Sequence, residues 1–327
     1  MSQIFGGHQQ ILRRRFGAIN IYIYIFILTL INILSSADAQ PVSSTVAKPN
    51  ILNHNIRVTD DLGRIVALQQ PAQRVIALSP HLTEHLFAIG AGAKIVGVVS
   101  YSDYPAAAKK LPIVGGYTGF DLEKIRTLRP DLIVAWHSGN PAAQFAQVAS
   151  LGIPIYYSES AQISDIAQTL QRLGTLTGQQ VQAEHAARQF NQRIQQLRQR
   201  YATQRKVRAF YQVWDRPLMT INHQQVISSA LQVCGGQNVF ADLPQLVPTI
   251  DDEAVLVKNP EIILTSGAES GTANALKRWQ RWPRMLAVQR QNLIVLPPDL
   301  LSRMGPRFAD GTQRLCEAID RARHKAP

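Results

Sequence analysis

Residues 79–92 read SPHLTEHLFAIGAG and place His81, Glu84 and His85 in the order H-x-x-E-H. Two histidines four residues apart fall on one face of a helix. With Glu84 as a base acting on a metal-bound water, this is the spelling used by one class of zinc peptidases. That chemistry needs a third ligand, and Glu159 and Glu184 are the nominal later candidates, neither placed by a helix that would convincingly supply one. The local sequence also has a metal-free explanation. Ser79 is suited to cap the helix and Pro80 to its first position, while Glu84 lies early enough to favour the helix dipole. The stretch predicts a helix whose N-terminus faces a ligand, with a secreted zinc hydrolase as the alternative.

The elements that must position these residues follow a repeating order. RVIALS precedes the helix as a continuous apolar run, and KIVGVVS follows it. DLEKIRTLRP then reads as a short amphipathic helix, DLIVAW as a buried strand, PAAQFAQVASLG as a helix closed by Gly152, and IPIYYS as another strand. Such alternation predicts a parallel α/β sheet covered by helices. From Ile163 to about Arg205 the pattern is helical throughout, with a break at TGQQ. Its second part buries only a narrow apolar face among Gln and Arg, as a connector between two lobes would. Strand and helix alternation resumes with KVRAFYQVW and ends in a helix from Pro306. The expected divisions are 1–39 leader, 40–70 linker and hairpin (two short strands around DDLG), 71–162 N-terminal lobe, 163–205 connecting helices and 206–327 C-terminal lobe. Ligands of such architectures sit between lobes, outside the carboxyl ends of the strands.

The chain has 327 residues, 46% hydrophobic and 17% charged, and a formal charge of +12. That composition is globular and large enough for two lobes. Arg13, Arg14 and Arg15 precede the apolar run FGAINIYIYIFILTLINIL, and Ala37 and Ala39 supply a small-residue processing site, so residues 1–39 read as a secretory signal. An uncleaved N-terminal membrane anchor is the alternative, because the run is near the length that spans a bilayer. Without residues 1–39, which hold three Arg and one Asp, the formal charge is still +10. The basic residues are not clustered with aromatics into a groove, so no nucleic-acid partner is expected. Cys234 and Cys316 both lie in the exported part, where an oxidising compartment predicts one disulfide, two buried thiols being the alternative.

Four stretches together carry a family resemblance: RVIALSPHLTEHLFAIGAGAKIVGVVSYSDYP, GGYTGFDLEKIRTLRPDLIVAWHSGN, LQVCGGQNVFAD and SRMGPRFADGTQRLCEAI. From about Arg74 to Ala318 the chain resembles the periplasmic cobalamin-binding proteins of bacterial ABC importers, within the wider family of siderophore, haem and cobalamin receptors. The resemblance implies two Rossmann-like lobes joined by a single long rigid helix. It also implies a disulfide between the CGG helix and the C-terminal helix, and residence in the periplasm. No catalytic step and no cofactor follow from it, cobalamin being cargo. The implied partners are a corrinoid, the importer permease and its ATPase subunits, with the protein itself a monomer.

Carried over by position, Tyr101, Tyr117, Trp136, Trp214, Asp299 and Arg303 match ligand-binding positions or their neighbours, and His81 joins them if it faces the cleft. Aromatic rings suit the task because they give a flat macrocycle large, stiff contact area. Glu123 and Glu253 match two surface glutamates, one per lobe, that dock the family's members onto arginine-rich pockets of the permease. The chain departs from the family pattern at Tyr117, where a tryptophan is more usual, at His137, where an arginine follows AW, and near Val247, where a tryptophan ring is missing. A haem or ferric-siderophore receptor would share the scaffold. Haem would find axial candidates in His81, His85 or His137, and an anionic siderophore would find Arg303 and Arg307. An exported structural or adhesive protein with no small ligand is the remaining alternative.

Overall fold

The computed structural model describes residues 56–140, 142–266 and 276–325. The expected leader and most of the linker lie outside the described residues. Among the described residues no helix is long and apolar enough to cross a membrane.

The described residues open with an antiparallel hairpin, β1 (Ile56–Thr59) and β2 (Ile65–Leu68), turned at DDLG. Asp60 makes that turn by accepting from the backbone N–H of Leu62 and Arg64, the side-chain turn that Asp favours. There follow β3 (Val75–Ala77), α1 (Pro80–Ala88), β4 (Ile95–Val98), a short hairpin of β5 (Gly115–Gly116) and β6 (Gly119–Phe120), α2 (Leu122–Thr127), β7 (Leu132–Trp136), α3 (Ala142–Ala149) and β8 (Ile155–Ser158). The helices α4 (Ile163–Thr177) and α5 (Gln180–Tyr201) come next. The second half holds β9 (Val207–Tyr211), α6 (Val226–Val233), β10 (Gly236–Asn238), α7 (Asp252–Lys258), β11 (Ile262–Ser266), α8 (Leu286–Gln289), β12 (Leu293–Leu296), α9 (Pro298–Leu301) and α10 (Phe308–His324). The last helix starts two residues after Pro306, because residues 305–307 first form a turn in which Phe308 N donates to Gly305 O.

Each half builds one four-stranded sheet, β4-β3-β7-β8 and β10-β9-β11-β12, with every pairing parallel. Both sheets thus run second-first-third-fourth in their own chain order. The direction of winding reverses beside the first strand, and this is where ligands bind in open α/β sheets, at the strands' carboxyl ends.

Both faces of these sheets are buried, which explains the continuous apolar runs. Alternation distributes them: Val75 and Ala77 enter one core, Ile76 and Leu78 another. In the second sheet Ala209 and Tyr211 point one way, Phe210 the other. The inner core is shared. It runs from the first sheet through Ile166, Leu170 and Leu173 of α4 and Ala183, Ala187, Phe190 and Ile194 of α5 to Val207 and Leu231 of the second half. Each of the large aliphatic side chains fully buried in it contributes roughly 1.5–3 kcal/mol.

The sequence break at TGQQ is Gly178, which ends α4 at φ +70, a conformation that glycine adopts without a Cβ penalty. It turns the chain so that α5 returns along α4, and the long helix is braced rather than isolated. Cys234, at the end of α6, and Cys316, on α10, are joined in a disulfide 82 residues apart in sequence, a long loop whose closure removes freedom from the unfolded chain.

Candidate functional site

The carboxyl ends of both sheets face a cleft of about 850 Å³. From the first lobe it is lined by Trp136 and His137 at the end of β7 and by Glu159 and Ser160 after β8. From the second it is lined by Tyr211 at the end of β9 and Trp214 beyond it, Gln224 and Gln225 before α6, Leu246 and Val247, Ser266 at the end of β11, and Leu301 and Met304 around α9.

Trp136 is held by its surroundings. Its backbone N–H donates to Asn140 Oδ1 at 2.7 Å, and Asn140 Nδ2 donates to Leu78 O at 2.7 Å, tying the loop back to β3. A Cβ on Gly139 would stand 1.9 Å from the Trp136 ring, so that position takes glycine because the backbone must pass close to the indole. Trp214 is 53% exposed, with its indole N–H donating to Arg216 O at 3.0 Å. Each lobe therefore offers the cleft one oriented ring.

His81 lies behind this wall. It is 2% exposed, edge-on to Trp136 with ring centroids 5.3 Å apart, and its Nδ1 is 3.1 Å from Ser79 Oγ. Ser79 caps α1 by accepting from Leu82 N, and Pro80 takes the first helical position. His81, expected among the ligand-binding residues if it faced the cleft, instead backs an aromatic that lines the cleft and is not itself part of the lining.

His85 is fully buried and its Nδ1 donates to His81 O at 2.8 Å. Burial pushes its pKa down to about 4, against the carbonyls of His81 and Ile166, which favour the protonated ring. Burial, with the neighbouring His85 and Arg303, likewise holds His81 well below the usual imidazole range. Both rings are neutral in the folded protein and protonate readily in the unfolded chain. Stability is therefore complete above about pH 6.5 and is lost as pH falls towards 4. For His85 alone the loss between pH 6.5 and 5 is about 2 kcal/mol. Melting temperatures across that range should fall with acid, and His85→Asn should flatten the slope. An unchanged slope in the variant would remove His85 from the account.

Glu84 is taken by arginines from the C-terminal half of the chain. It is 3% exposed, and Arg307 of the opposite lobe grips it with a two-pronged fork, Nε to Oε2 at 2.9 Å and Nη2 to Oε1 at 2.6 Å. Arg303 adds a third bond at 3.3 Å and also pairs with Asp103 at 2.6 Å and Asp299 at 3.2 Å. Arg307 lies 3.9 Å over the Tyr104 ring, a favourable cation–π arrangement. Burial pushes Asp103 up, but the hydrogen bond and charge of Arg303 outweigh it and hold its carboxyl below the usual range. Arg303 and Asp299 were expected at the ligand; their charged groups instead meet in this inter-lobe cluster. With both Glu84 oxygens bound to guanidinium, no base is left for metal-bound water. Among the described residues no group of three His, Cys, Asp or Glu side chains could hold a metal ion.

Tyr101 and Tyr117 stand outside the cleft lining, 66% and 89% exposed. Their turns are adjacent, since Ser100 N donates to Gly115 O at 2.9 Å. Tyr101 has φ +65, a left-handed conformation costly for a residue with a Cβ. Glu123 and Glu253 are both exposed and occupy the second position of α2 and α7, one helix per lobe. Glu159, Tyr211, Gln224 and Gln225 line the cleft without having been predicted as ligand contacts. The signal that could have found Glu159 and Tyr211 was their place at or just after the carboxyl ends of the IPIYYS and VRAFY strands.

The comparisons with known proteins agree with this fold. Residues 75–300 match the family model described as periplasmic binding protein. The chain belongs to the periplasmic binding protein family. Among its relatives in this family, the vitamin B12-binding protein of Yersinia pestis is 40% identical over 250 residues, which are 76% of this chain and 87% of the relative. Among solved structures, the periplasmic vitamin B12-binding protein of Vibrio cholerae is 38% identical with a TM-score of 0.71, covering 78% of this chain and 99% of its own. A periplasmic haem-binding protein from Pseudomonas aeruginosa is 24% identical with a TM-score of 0.66, covering 76% of this chain and 92% of its own; at that identity the likeness is one of fold. Family members of this kind bind solutes.

Proposed function

We propose that this protein is exported to the periplasm, captures cobalamin or a related corrinoid between its lobes, and delivers it to a membrane ABC importer without a chemical step. The observation that carries the reading is the likeness to vitamin B12-binding relatives over most of the chain. The cleft agrees with it, being roomy enough for part of a large macrocycle and bearing an oriented indole on each side. Stiff aromatic faces give a flat ring large contact area at low entropic cost. Tyr101 and Tyr117 are proposed as further contacts, because their rings are exposed and their turns are adjacent.

Glu123 and Glu253 are proposed to dock the permease. Their equivalent placement supports this. Asp121 caps α2 by accepting from Lys124 N at 2.9 Å, and Asp251 caps α7 by accepting from Ala254 N at 2.8 Å. Each glutamate follows its cap by two residues, so each lobe projects a carboxylate from the same point of a capped helix. Residues 1–39 would act as the export leader, and the mature protein as a monomer.

Calorimetric titration with cyanocobalamin, hemin and a ferric siderophore tests the reading. Tight one-to-one binding of the corrinoid alone is expected. A signal from hemin or the siderophore with none from cyanocobalamin would keep the family and move the substrate.

A further inference from the structure

We infer that Glu159 is a specificity-determining residue that makes the cleft accept amide-bearing macrocycles and reject carboxylate-bearing ones. The inference rests on the corrinoid reading above and deepens it.

Among the described residues that line the cleft, Glu159 carries the only carboxylate, and none is Lys or Arg. Arg303 and Arg307, which flank the lining residue Met304 in sequence, are committed to Glu84, Asp103 and Asp299. Glu159 is also fixed in place. Its Oε2 accepts from Ser138 N at 2.8 Å and its Oε1 from Ser138 Oγ at 2.9 Å, while its own N–H donates to Asp61 Oδ2 at 2.8 Å. Each carboxylate oxygen retains acceptor capacity towards a ligand N–H.

The facing wall supplies the complementary groups. Gln225 Oε1 is occupied by Ile227 N at 2.6 Å and Gln224 Oε1 lies 3.5 Å from Asn222 Nδ2. Each glutamine oxygen thus already has one donor, and each amide still has its N–H₂ to offer a ligand. A primary amide on a macrocycle's edge donates to a carboxylate and accepts from an amide N–H₂, so it satisfies both walls. A carboxylate in its place has no proton to donate and meets Glu159 as a like charge, in a site partly shielded from water where such repulsion is poorly screened. The formal charge of +10 without residues 1–39 would draw anions towards the protein at long range, so any exclusion of anionic macrocycles would rest on a local group such as this carboxylate. Corrinoids carry peripheral amides, whereas haem carries propionates, and Glu159 separates the two on that difference.

The test compares the wild-type protein, Glu159→Gln and Glu159→Lys, each titrated with cyanocobalamin, its monocarboxylic acids (one peripheral amide hydrolysed) and hemin. The wild type should bind at least one monoacid about tenfold more weakly than cyanocobalamin, the size of effect expected from one poorly screened like-charge contact. Glu159→Gln should bring that ratio towards one, whatever it does to the affinity for cyanocobalamin itself, and Glu159→Lys should invert it and improve hemin binding. Melting curves identify a variant that fails to fold, and the charge-reversed variant then carries the comparison. If the wild type and Glu159→Gln discriminate equally, or the wild type discriminates against no monoacid, the inference is overturned while corrinoid capture stands. If the wild type binds no cyanocobalamin, the corrinoid reading fails and takes the inference with it.

Discussion

Glu84→Ala is expected to destabilise the protein by about 3–5 kcal/mol, the usual cost of leaving a buried charge without its partner, and to lower Tm by roughly 10 °C for a chain of this size. Glu84 is nearly inaccessible and holds Arg307 by two bonds and Arg303 by a third. Its loss leaves Arg307 at the lobe interface with the Tyr104 ring but without that carboxylate. Arg303 keeps Asp103 and Asp299, both near half exposed, so the damage concentrates on Arg307. The cluster joins α1 to the segment that leads into α10. Hydrogen exchange should therefore accelerate at both places in the variant. Replacing Glu84 and Arg307 together by methionine should recover most of the lost stability, because the two desolvation costs disappear with the pair. A Glu84→Ala protein within about 1 kcal/mol of wild type, a margin ordinary for surface changes, would show that the cluster does not fasten the lobes.

The second large effect concerns the two indoles. Trp136→Ala and Trp214→Ala should each weaken cyanocobalamin binding by about a hundredfold, as expected for a central aromatic anchor worth roughly 2–4 kcal/mol. The variants should part company in stability. Trp136 is packed against His81 and the backbone at Gly139, so its removal leaves a void and lowers Tm. Trp214 is half exposed, and its removal should leave Tm nearly unchanged. Trp214→Ala is therefore the cleaner probe, with Trp214→Phe recovering part of the affinity. Unaltered binding by Trp214→Ala would place the ligand elsewhere than between these rings.

Much of this molecule was legible before its structure. The apolar runs RVIALS, DLIVAW and KVRAFY announced parallel strands because strands buried on both faces have no polar side to alternate with. SPHL announced a capped helix start, and Ser79 and Pro80 take those roles. The motif resemblance led to the family, and Cys234 and Cys316 form the disulfide. Trp136 and Trp214, named from motif position, do line the cleft.

The sequence by itself determined the class of fold, the family and the order of the elements, because hydrophobic period, capping and turn chemistry act between residues a few positions apart. Only the tertiary structure decided what His81, Glu84, His85 and Arg303 do. Glu84 and Arg307 are 223 residues apart, and they meet because the core running through α4 and α5 sets one lobe against the other. The same docking buries both histidines as neutral rings, commits the two arginines to carboxylates, and leaves Glu159 as the charge among the described cleft residues. A spelling such as H-x-x-E-H records which groups share a helix face. Which partner each group meets depends on the surface packed against that face, and that surface comes from the far end of the chain.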